Sequence, residues 1–232
     1  MITLKSKREI ELLKEAGHIV YLTHQYLRPH IKAGIKTIEL DRLAEDFIRS
    51  KGATPSFKGY EGFPSTLCIS INDEVVHGFP SERILKDGDI ISIDIGACYK
   101  GYHGDSAWTY QVGEISDDAK YLLEHTEKAL YEGIKQAKVG ARIGDIGYAI
   151  EKYAEEHNLG VVKELVGHGV GTSVHEAPDV PNYGKQGTGP KIKDGMVIAI
   201  EPMLTLGSPY IYVEDNDWTV VTEDGSLSAH YE

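Results

Sequence analysis

The segment from Lys86 to Asp94, KDGDIISID, recurs as KDGMVIAIE from Lys193 to Glu201, 107 residues later. Both copies share Lys-Asp-Gly and end in a carboxylate after an alternating apolar stretch that is typical of a strand. At an offset of 106, the apolar spacing of GIKTIELDRLAEDF resembles that of GARIGDIGYAIEKY. Two matches in the same order favour an internal duplication, although turn-then-strand patterns also repeat by chance.

The order of predicted elements repeats in the same way. Apolar positions at helical spacing predict an N-terminal helix behind a Ser6–Glu9 capping box. Further helices are predicted at about Thr37 to Ser50, Ser116 to Ala137 and Ile143 to His157. Patterns typical of strands run from Lys51 to Glu114 and again from the last helix to the end of the sequence. We therefore expect one α+β catalytic domain over residues 1–232, built from halves of about 1–113 and 114–232.

Composition and charge make several classes of protein unfavourable for this chain. The net charge of −12 disfavours a binder of nucleic acid or anionic membranes, which needs a basic face. There is no run of about 18 apolar residues, and the N-terminus is charged and helical, so we expect a cytoplasmic protein. Cys68 and Cys98 fit neither a disulfide framework nor a paired-cysteine zinc site, and we expect both to be free thiols.

Acidic residues in the first half lie on two neighbouring strand-like stretches, where an unpaired charge is costly. Asp94 ends one stretch, and the chain turns near Tyr99-Lys100-Gly101 before it returns through Asp105. A hairpin centred between residues 99 and 100 places the two aspartates directly opposite each other, with Cβ atoms roughly 4.5–5.5 Å apart. We then expect a shared proton or a metal ion between them. The alternative is a turn elsewhere, with one aspartate facing water.

Two further carboxylates come from the second half. Glu201 ends AIE directly before a proline, and Glu232 ends SAHYE. Four carboxylates in one cavity stay ionised if two divalent cations neutralise them. Two-metal hydrolases solve the problem in this way, with ions roughly 3.5–4 Å apart, so the pattern favours such a hydrolase.

Three histidines lie in turn-rich segments. His168 has a glycine on each side, which allows the backbone to approach a crowded site, and His175 and His77 each precede a proline-containing turn. The G-x-G-x-G spacing around His168 is not a nucleotide loop, because nearby prolines block the helix that should follow. A lone histidine in a loop is more often structural, but three beside four buried acids indicate a site.

Five segments carry a resemblance to a known family: SINDEVVHGFP, DIISIDIGACYKGYHGDSAWTYQVG, VGHGVGTSVHEAP, GMVIAIEPML and the terminal AHYE. In this order they resemble the site motifs of the type I methionine aminopeptidases in their bacterial form, over nearly the whole chain. The resemblance implies the pita-bread fold, two pseudo-symmetric α+β halves around a curved antiparallel sheet. It also implies a metal-dependent hydrolase that removes the N-terminal methionine from nascent proteins when the second residue is small.

The resemblance assigns roles residue by residue. It implies two divalent metal ions held by Asp94, Asp105, His168, Glu201 and Glu232, with a metal-activated water that attacks the first peptide bond. The catalytic residues it implies are His77, His175 and Glu201. Glu201 would relay a proton, His175 would help to polarise the substrate carbonyl, and His77 would contact the scissile amide.

The resemblance also implies a methionine pocket. Its walls are Phe57, Tyr60, Phe63, Cys68, Val174 and Trp218, with His77 and His175 beside the reacting bond. Sulfur prefers aromatic neighbours, although such aromatics alone are more often core residues. A ligand set with one nitrogen and otherwise oxygens favours Mn, Fe or Co. The implied partners are nascent polypeptides and, transiently, the ribosome, for a monomer with no sequence-specific nucleic-acid or membrane binding.

Two other functions are compatible with parts of this pattern. An Xaa-Pro aminopeptidase or prolidase of the same fold would use the same ligands, but it usually carries an extra N-terminal domain. A pita-bread protein that binds peptides without catalysis typically lacks metal ligands. The family continues past the last glutamate with a further strand, whereas this chain stops at Glu232. We therefore expect either a shortened sequence or a poorly positioned Glu232 and a weakened second metal site.

Overall fold

The computed structural model describes residues 1–232 as four helices packed on antiparallel strands. The helices are α1 (Lys7–Leu27), α2 (Thr37–Ser50), α3 (Asp117–Ile134) and α4 (Ile143–Glu156). All four were predicted, and α2 has the predicted bounds. The predicted capping box starts α1: the Glu9 backbone N–H donates to Ser6 Oγ at 3.4 Å, and the Ser6 N–H donates to the Glu9 carboxylate at 2.7 Å.

Two 3₁₀ helices, Arg28–His30 and Tyr60–Gly62, follow α1 and the first strand, and strands make up the rest of the regular structure. They are β1 (Thr54–Pro55), β2 (Leu67–Ile71), β3 (Glu74–Val76), β4 (Ile90–Tyr99), β5 (Tyr102–Gln111), β6 (Gly160–Val161), β7 (Gly167–Gly169), β8 (Glu176–Val180), β9 (Met203–Thr205), β10 (Ile211–Val213), β11 (Val220–Thr222) and β12 (Ser228–His230). A four-stranded sheet contains β1, β4 and β2 in that order, with β5 also paired to β4. Two three-stranded sheets follow the orders β10-β11-β3 and β12-β9-β6, and β7 pairs with β8.

The β4–β5 hairpin turns one position later than predicted. Lys100-Gly101 forms its two-residue turn with φ angles of 50° and 84°, as a type I′ turn requires. Asp94 therefore faces Ala107 and Asp105 faces Gly96. The prediction that the two aspartates are directly opposed is wrong. They are diagonal neighbours on one face of the sheet, so their side chains still converge.

The second copy of the internal repeat is not a regular strand. KDGDIISID leads into β4, whereas residues 193–201 form a turn and extended chain with one isolated bridge to β7. This chain is nevertheless held in place, because the Ala199 N–H donates to the His168 carbonyl at 2.7 Å. The second copy thus delivers Glu201 beside His168 without a full strand ladder.

Two large apolar clusters form the core. One packs α1 and α2 against β2 and β4, and the other packs α3 and α4 against strands of the second half. Each fully buried leucine or isoleucine contributes about 1.5–3 kcal/mol. Helix α1 also crosses β5 closely at Gly104, where a Cβ atom would lie 2.5 Å from the backbone nitrogen of Gly17. The division into halves at 1–113 and 114–232 stays a prediction.

Two sequence expectations concern cysteines and membranes. Cys68 and Cys98 are free thiols, as predicted. None of the four helices combines the length and apolar character that a membrane crossing requires.

Candidate metal centre

Strands and extended chain bring the four predicted carboxylates to one cavity. Asp94 lies on β4, Asp105 on β5, Glu201 just before β9 and Glu232 just after β12. The backbone of Glu232 is fixed to β5: its N–H donates to a strand carbonyl at 2.9 Å, and its carbonyl accepts from Ser106 Oγ at 3.0 Å. The backbone of Glu232 is therefore held in place, so the structure does not show the poorly positioned Glu232 that was one of the two alternatives.

These carboxylates are largely buried, and no lysine or arginine lines the cavity to balance their charge. One oxygen each of Asp94, Asp105 and Glu232 is buried with no hydrogen-bond partner. Burial, and to a smaller extent repulsion from Asp105, holds the pKa of Asp94 well above its usual range. Burial likewise raises the pKa of Asp105 to about 6, and burial with repulsion raises that of Glu232. Divalent cations would neutralise such a cluster, so these donors fit a metal centre.

The metal-free protein is expected to lose stability as pH rises. A carboxyl group whose pKa is raised by folding holds its proton more tightly in the folded chain, so its destabilising effect is absent below the unfolded-state pKa. That effect grows as pH rises from the unfolded pKa of 3.8 to the folded pKa of about 6, and for Asp105 alone it reaches on the order of 3 kcal/mol. Urea unfolding at about pH 5 and about pH 7 measures the loss. Mn²⁺ should abolish it, and a metal-free stability that is flat or rises with pH would contradict the expectation.

His168 points Nε2 at two of the acids. A Cβ atom at the preceding Gly167 would lie 2.4 Å from the Ala199 carbonyl oxygen, so glycine permits this close packing. Nδ1 of His168 lies 2.9 Å from the carbonyl oxygen of the next residue. A proton donated there leaves the Nε2 lone pair free for a metal. Nε2 lies 3.7 Å from Asp105 Oδ2 and 3.5 Å from Glu201 Oε1.

The donor atoms form two overlapping groups. Asp105, His168 and Glu232 form one, and Glu201, His230 and Glu232 form the other, with ligand atoms within 4.8 Å of one another in each. Glu232 belongs to both, which suits a bridging carboxylate. Asp94 lines the same cavity but belongs to neither group, so its role as a ligand stays a prediction.

The other two predicted histidines also line the cavity. His175 Nδ1 lies 3.1 Å from the Tyr60 hydroxyl, and its ring meets that of His168 edge-on with centroids 4.2 Å apart. Burial lowers the pKa of both His77 and His175, which favours neutral imidazoles. His77 has a φ of 59°, an uncommon left-handed conformation for a residue other than glycine. Backbone outliers of this kind cluster at functional sites.

An apolar region adjoins the donor atoms in a cavity of about 310 Å³. Predicted pocket residues that line it are Phe57, Tyr60, Phe63, Cys68 and Trp218. The rings of Phe63 and Trp218 meet edge-on with centroids 5.1 Å apart. Val174 packs in the same apolar cluster but does not line the cavity, so it supports the wall from behind.

Sequence reasoning missed several lining residues: Val76, Glu61, Glu164, Leu165, Val166, Met203 and His230. Glu61, Glu164 and Leu165 lie outside the five quoted segments, whereas the other four lie inside them but were given no role. His230 is different, because it stands in SAHYE two residues before Glu232. An imidazole on the same strand face as an acid was the signal that could have found it.

The N-terminal segment braces the turn that carries His175. The Lys5 ammonium lies 2.5 Å from the Glu176 carboxylate, and both side chains are largely buried. Glu176 also accepts a hydrogen bond from the Thr172 backbone N–H at 2.8 Å. Burial alone would raise the pKa of Glu176, but hydrogen bonds from Lys5 and Thr3 outweigh it and lower the pKa to about 2.

Lys5→Met is expected to loosen this turn. Removing the ammonium leaves a buried carboxylate partly unpaired, so the free energy of unfolding should fall by about 1–3 kcal/mol. Amide exchange in residues 171–176 should accelerate, because this turn loses its link to the N-terminal segment. Urea unfolding and hydrogen exchange measure the two effects, with the exposed Lys7→Met as the matched control. Equal exchange in both variants would show that Lys5 does not brace the turn.

Comparison with known proteins identifies the family of this chain. Residues 11–227 match metallopeptidase family M24. The chain belongs to this family. Methionine aminopeptidase 1 of Bacillus subtilis (strain 168) is 57% identical over 232 residues, which cover 100% of this chain and 94% of that protein.

Solved structures agree in fold. The crystal structure of methionine aminopeptidase from Rickettsia prowazekii matches with a TM-score of 0.98 and 39% identity, over 100% of this chain and 94% of that chain. The Xaa-Pro dipeptidase from Bacillus anthracis matches with a TM-score of 0.76 and 26% identity, over 98% of this chain and 57% of that chain. The predicted α+β pita-bread fold is therefore confirmed, as is the assignment to the bacterial methionine aminopeptidases within family M24. The chain is a metallopeptidase, which implies that it uses metal ions.

Proposed function

We propose that this chain removes the N-terminal methionine from polypeptides whose second residue is small. One observation carries the proposal: a single cavity joins a cluster of buried carboxylates and His168 to an apolar pocket with aromatic and sulfur side chains. The first part suits hydrolysis of a peptide bond, and the second suits an unbranched thioether side chain. Their adjacency supports a bound peptide whose first side chain would enter the pocket while its backbone would lie at the acids.

Five residues would hold two divalent ions: Asp94, Asp105, His168, Glu201 and Glu232. The unpartnered buried oxygens of Asp94, Asp105 and Glu232 support this assignment, because cations would satisfy them. When bound, the ions would neutralise the carboxylates and supply the Lewis acidity that lowers the pKa of a water molecule. The proposal covers Mn, Fe and Co alike, since an oxygen-rich donor set suits each of them.

The protein groups would divide the remaining work. Glu201 would take the proton released by the attacking water at its carboxylate and return it to the departing amine. His175, held by its 3.1 Å contact with Tyr60, would donate a hydrogen bond to the carbonyl oxygen as negative charge develops there. His77, in its constrained backbone conformation, would contact the scissile amide from the other wall of the cavity.

The setting of this reaction is part of the proposal. The substrates would be nascent polypeptides, met during transient association with the ribosome in the cytoplasm, and the chain would act as a monomer. The net charge of −12 makes direct attraction to ribosomal RNA phosphates unfavourable, so we expect any ribosome contact to be weak and local.

Three tripeptides test the proposal with Mn²⁺ bound: Met-Ala-Ser, Met-Ile-Ser and Leu-Ala-Ser. We expect fast methionine release from Met-Ala-Ser, and release at least about 100-fold slower from the other two, measured as kcat/KM. Met-Ile-Ser tests the restriction on the second residue, and Leu-Ala-Ser tests the fit of the pocket to the thioether. Equal rates for Met-Ala-Ser and Leu-Ala-Ser would overturn the methionine pocket, and no release from any peptide would overturn the function.

A further inference from the structure

His230 is a buried side chain at the candidate metal centre to which the five-residue ligand set gives no role. It is 2% exposed, and its Nε2 atom has no hydrogen-bond partner. An unpartnered buried polar atom is destabilising, so such atoms are rare unless something else satisfies them. Nε2 faces the same cavity as the acids.

The backbone of His230 is held firmly, so the placement of the ring is a built feature of the fold. The Thr109 hydroxyl accepts from the His230 N–H at 3.0 Å and donates to the His230 carbonyl at 2.8 Å. The same hydroxyl lies 2.8 Å from that of Ser92 on the neighbouring strand. His230 is also paired with Met203 in the β12–β9 ladder. These contacts fix the residue without using Nε2.

The Glu201 carboxylate lies between two imidazoles. His230 Nε2 is 3.2 Å from Glu201 Oε2, and His168 Nε2 is 3.5 Å from Glu201 Oε1. Metal–ligand bonds of about 2.1 Å place neighbouring donor atoms roughly 3.0–3.4 Å apart. The 3.2 Å between His230 Nε2 and Glu201 Oε2 lies in this range. His230 Nε2 and Glu201 Oε2 are close enough for a hydrogen bond, but their geometry is not that of one.

We propose that His230 Nε2 is a further ligand of the metal pair, on the side formed by Glu201 and Glu232. This inference rests on the metal centre of the proposed function and extends it from five ligand residues to six. It gives the centre two imidazole nitrogens, where the sequence indicated one. A second imidazole shifts a site toward the later divalent metals, because nitrogen donors suit them better than carboxylates do.

X-ray absorption of the full chain loaded with two equivalents of Co²⁺ tests the ligand directly, since imidazole rings give a distinct scattering pattern. We expect two imidazoles per chain in the unsubstituted protein and one in His230→Gln. Calorimetry should show Co²⁺ affinity reduced about 10–100-fold at one site in that variant. His125→Gln, which removes an imidazole from α3 outside the cavity, is the matched control and should change neither result. Cooperative thermal unfolding confirms that each variant is folded.

The outcomes separate this inference from the proposed function. One imidazole per chain in the unsubstituted protein, with Co²⁺ bound, would overturn the role of His230 and leave the five-residue centre intact. This result needs no variant, so it holds even if His230→Gln fails to fold. An unchanged imidazole count and affinity in His230→Gln would overturn the inference in the same way. No Co²⁺ bound by the unsubstituted protein would overturn both proposals.

Discussion

Asp105→Asn is expected to lower kcat/KM for methionine release from Met-Ala-Ser by on the order of 10³-fold or more. Asp105 is almost fully buried and shares a donor group with His168 and Glu232. An amide keeps the shape of the side chain but removes the negative charge that a divalent cation needs. We therefore expect the affinity for Mn²⁺ to fall together with activity, which calorimetry on the metal-free variant would measure.

The same variant should be more stable than the unsubstituted protein when both are free of metal. Burial and repulsion raise the pKa values of the neighbouring Asp94 and Glu232, and one neutral side chain relieves part of that repulsion. Asp41→Asn is the matched control: Asp41 is buried outside the cavity and accepts two backbone N–H groups at 2.9 Å. This control should lose stability and keep its metal. Asp105→Asn with undiminished Mn²⁺ affinity and activity would contradict the ligand assignment.

His175→Ala is expected to reduce kcat by about 10²–10³-fold with little change in KM. The reason is that a hydrogen bond to developing negative charge acts mainly in the transition state, and such donors contribute this much in other hydrolases. Burial lowers the pKa of His175, so the neutral ring keeps one N–H to donate near neutral pH. Steady-state kinetics on Met-Ala-Ser separates kcat from KM.

Two companion variants make the His175 result specific. His175→Gln retains a donor of similar reach and should recover part of the lost rate. Tyr60→Phe removes only the hydroxyl that lies 3.1 Å from His175 Nδ1, and should reduce kcat by about tenfold or less. Metal affinity should stay unchanged in all three variants. A rise in KM without a fall in kcat in His175→Ala would assign the residue to substrate binding alone.

The sequence predicted the local structure well where one local signal was sufficient. The Ser6–Glu9 capping box starts α1, and the bounds of α2 match the apolar spacing. The hairpin register was wrong because it depends on which two residues can adopt positive φ, and Lys100-Gly101 rather than the preceding pair forms the turn. Moving the turn by one position changes each residue's partner on the opposite strand by two residues, so both aspartates kept the predicted face of the sheet.

The candidate site was predicted from family motifs, and the structure brings those residues, apart from Val174, into one cavity. The extended chain before Glu201 was predicted as a strand, because apolar alternation cannot tell a paired strand from chain held by a single bridge. His230 was missed as a donor although it stands two residues before Glu232, because its distance to Glu201 is set only by the tertiary fold. Val174 packs in the apolar cluster of the pocket without lining the cavity, and its role in substrate binding stays a prediction.

A titration of the metal-free protein with Mn²⁺ tests the central claim most directly, with bound ions per chain and methionine release from Met-Ala-Ser followed in the same samples. The account predicts negligible release without metal, a rise in rate as the carboxylate centre fills, and two ions bound per chain at saturation. Binding of two ions with no release at any Mn²⁺ concentration would contradict it, as would full activity in protein that binds no metal.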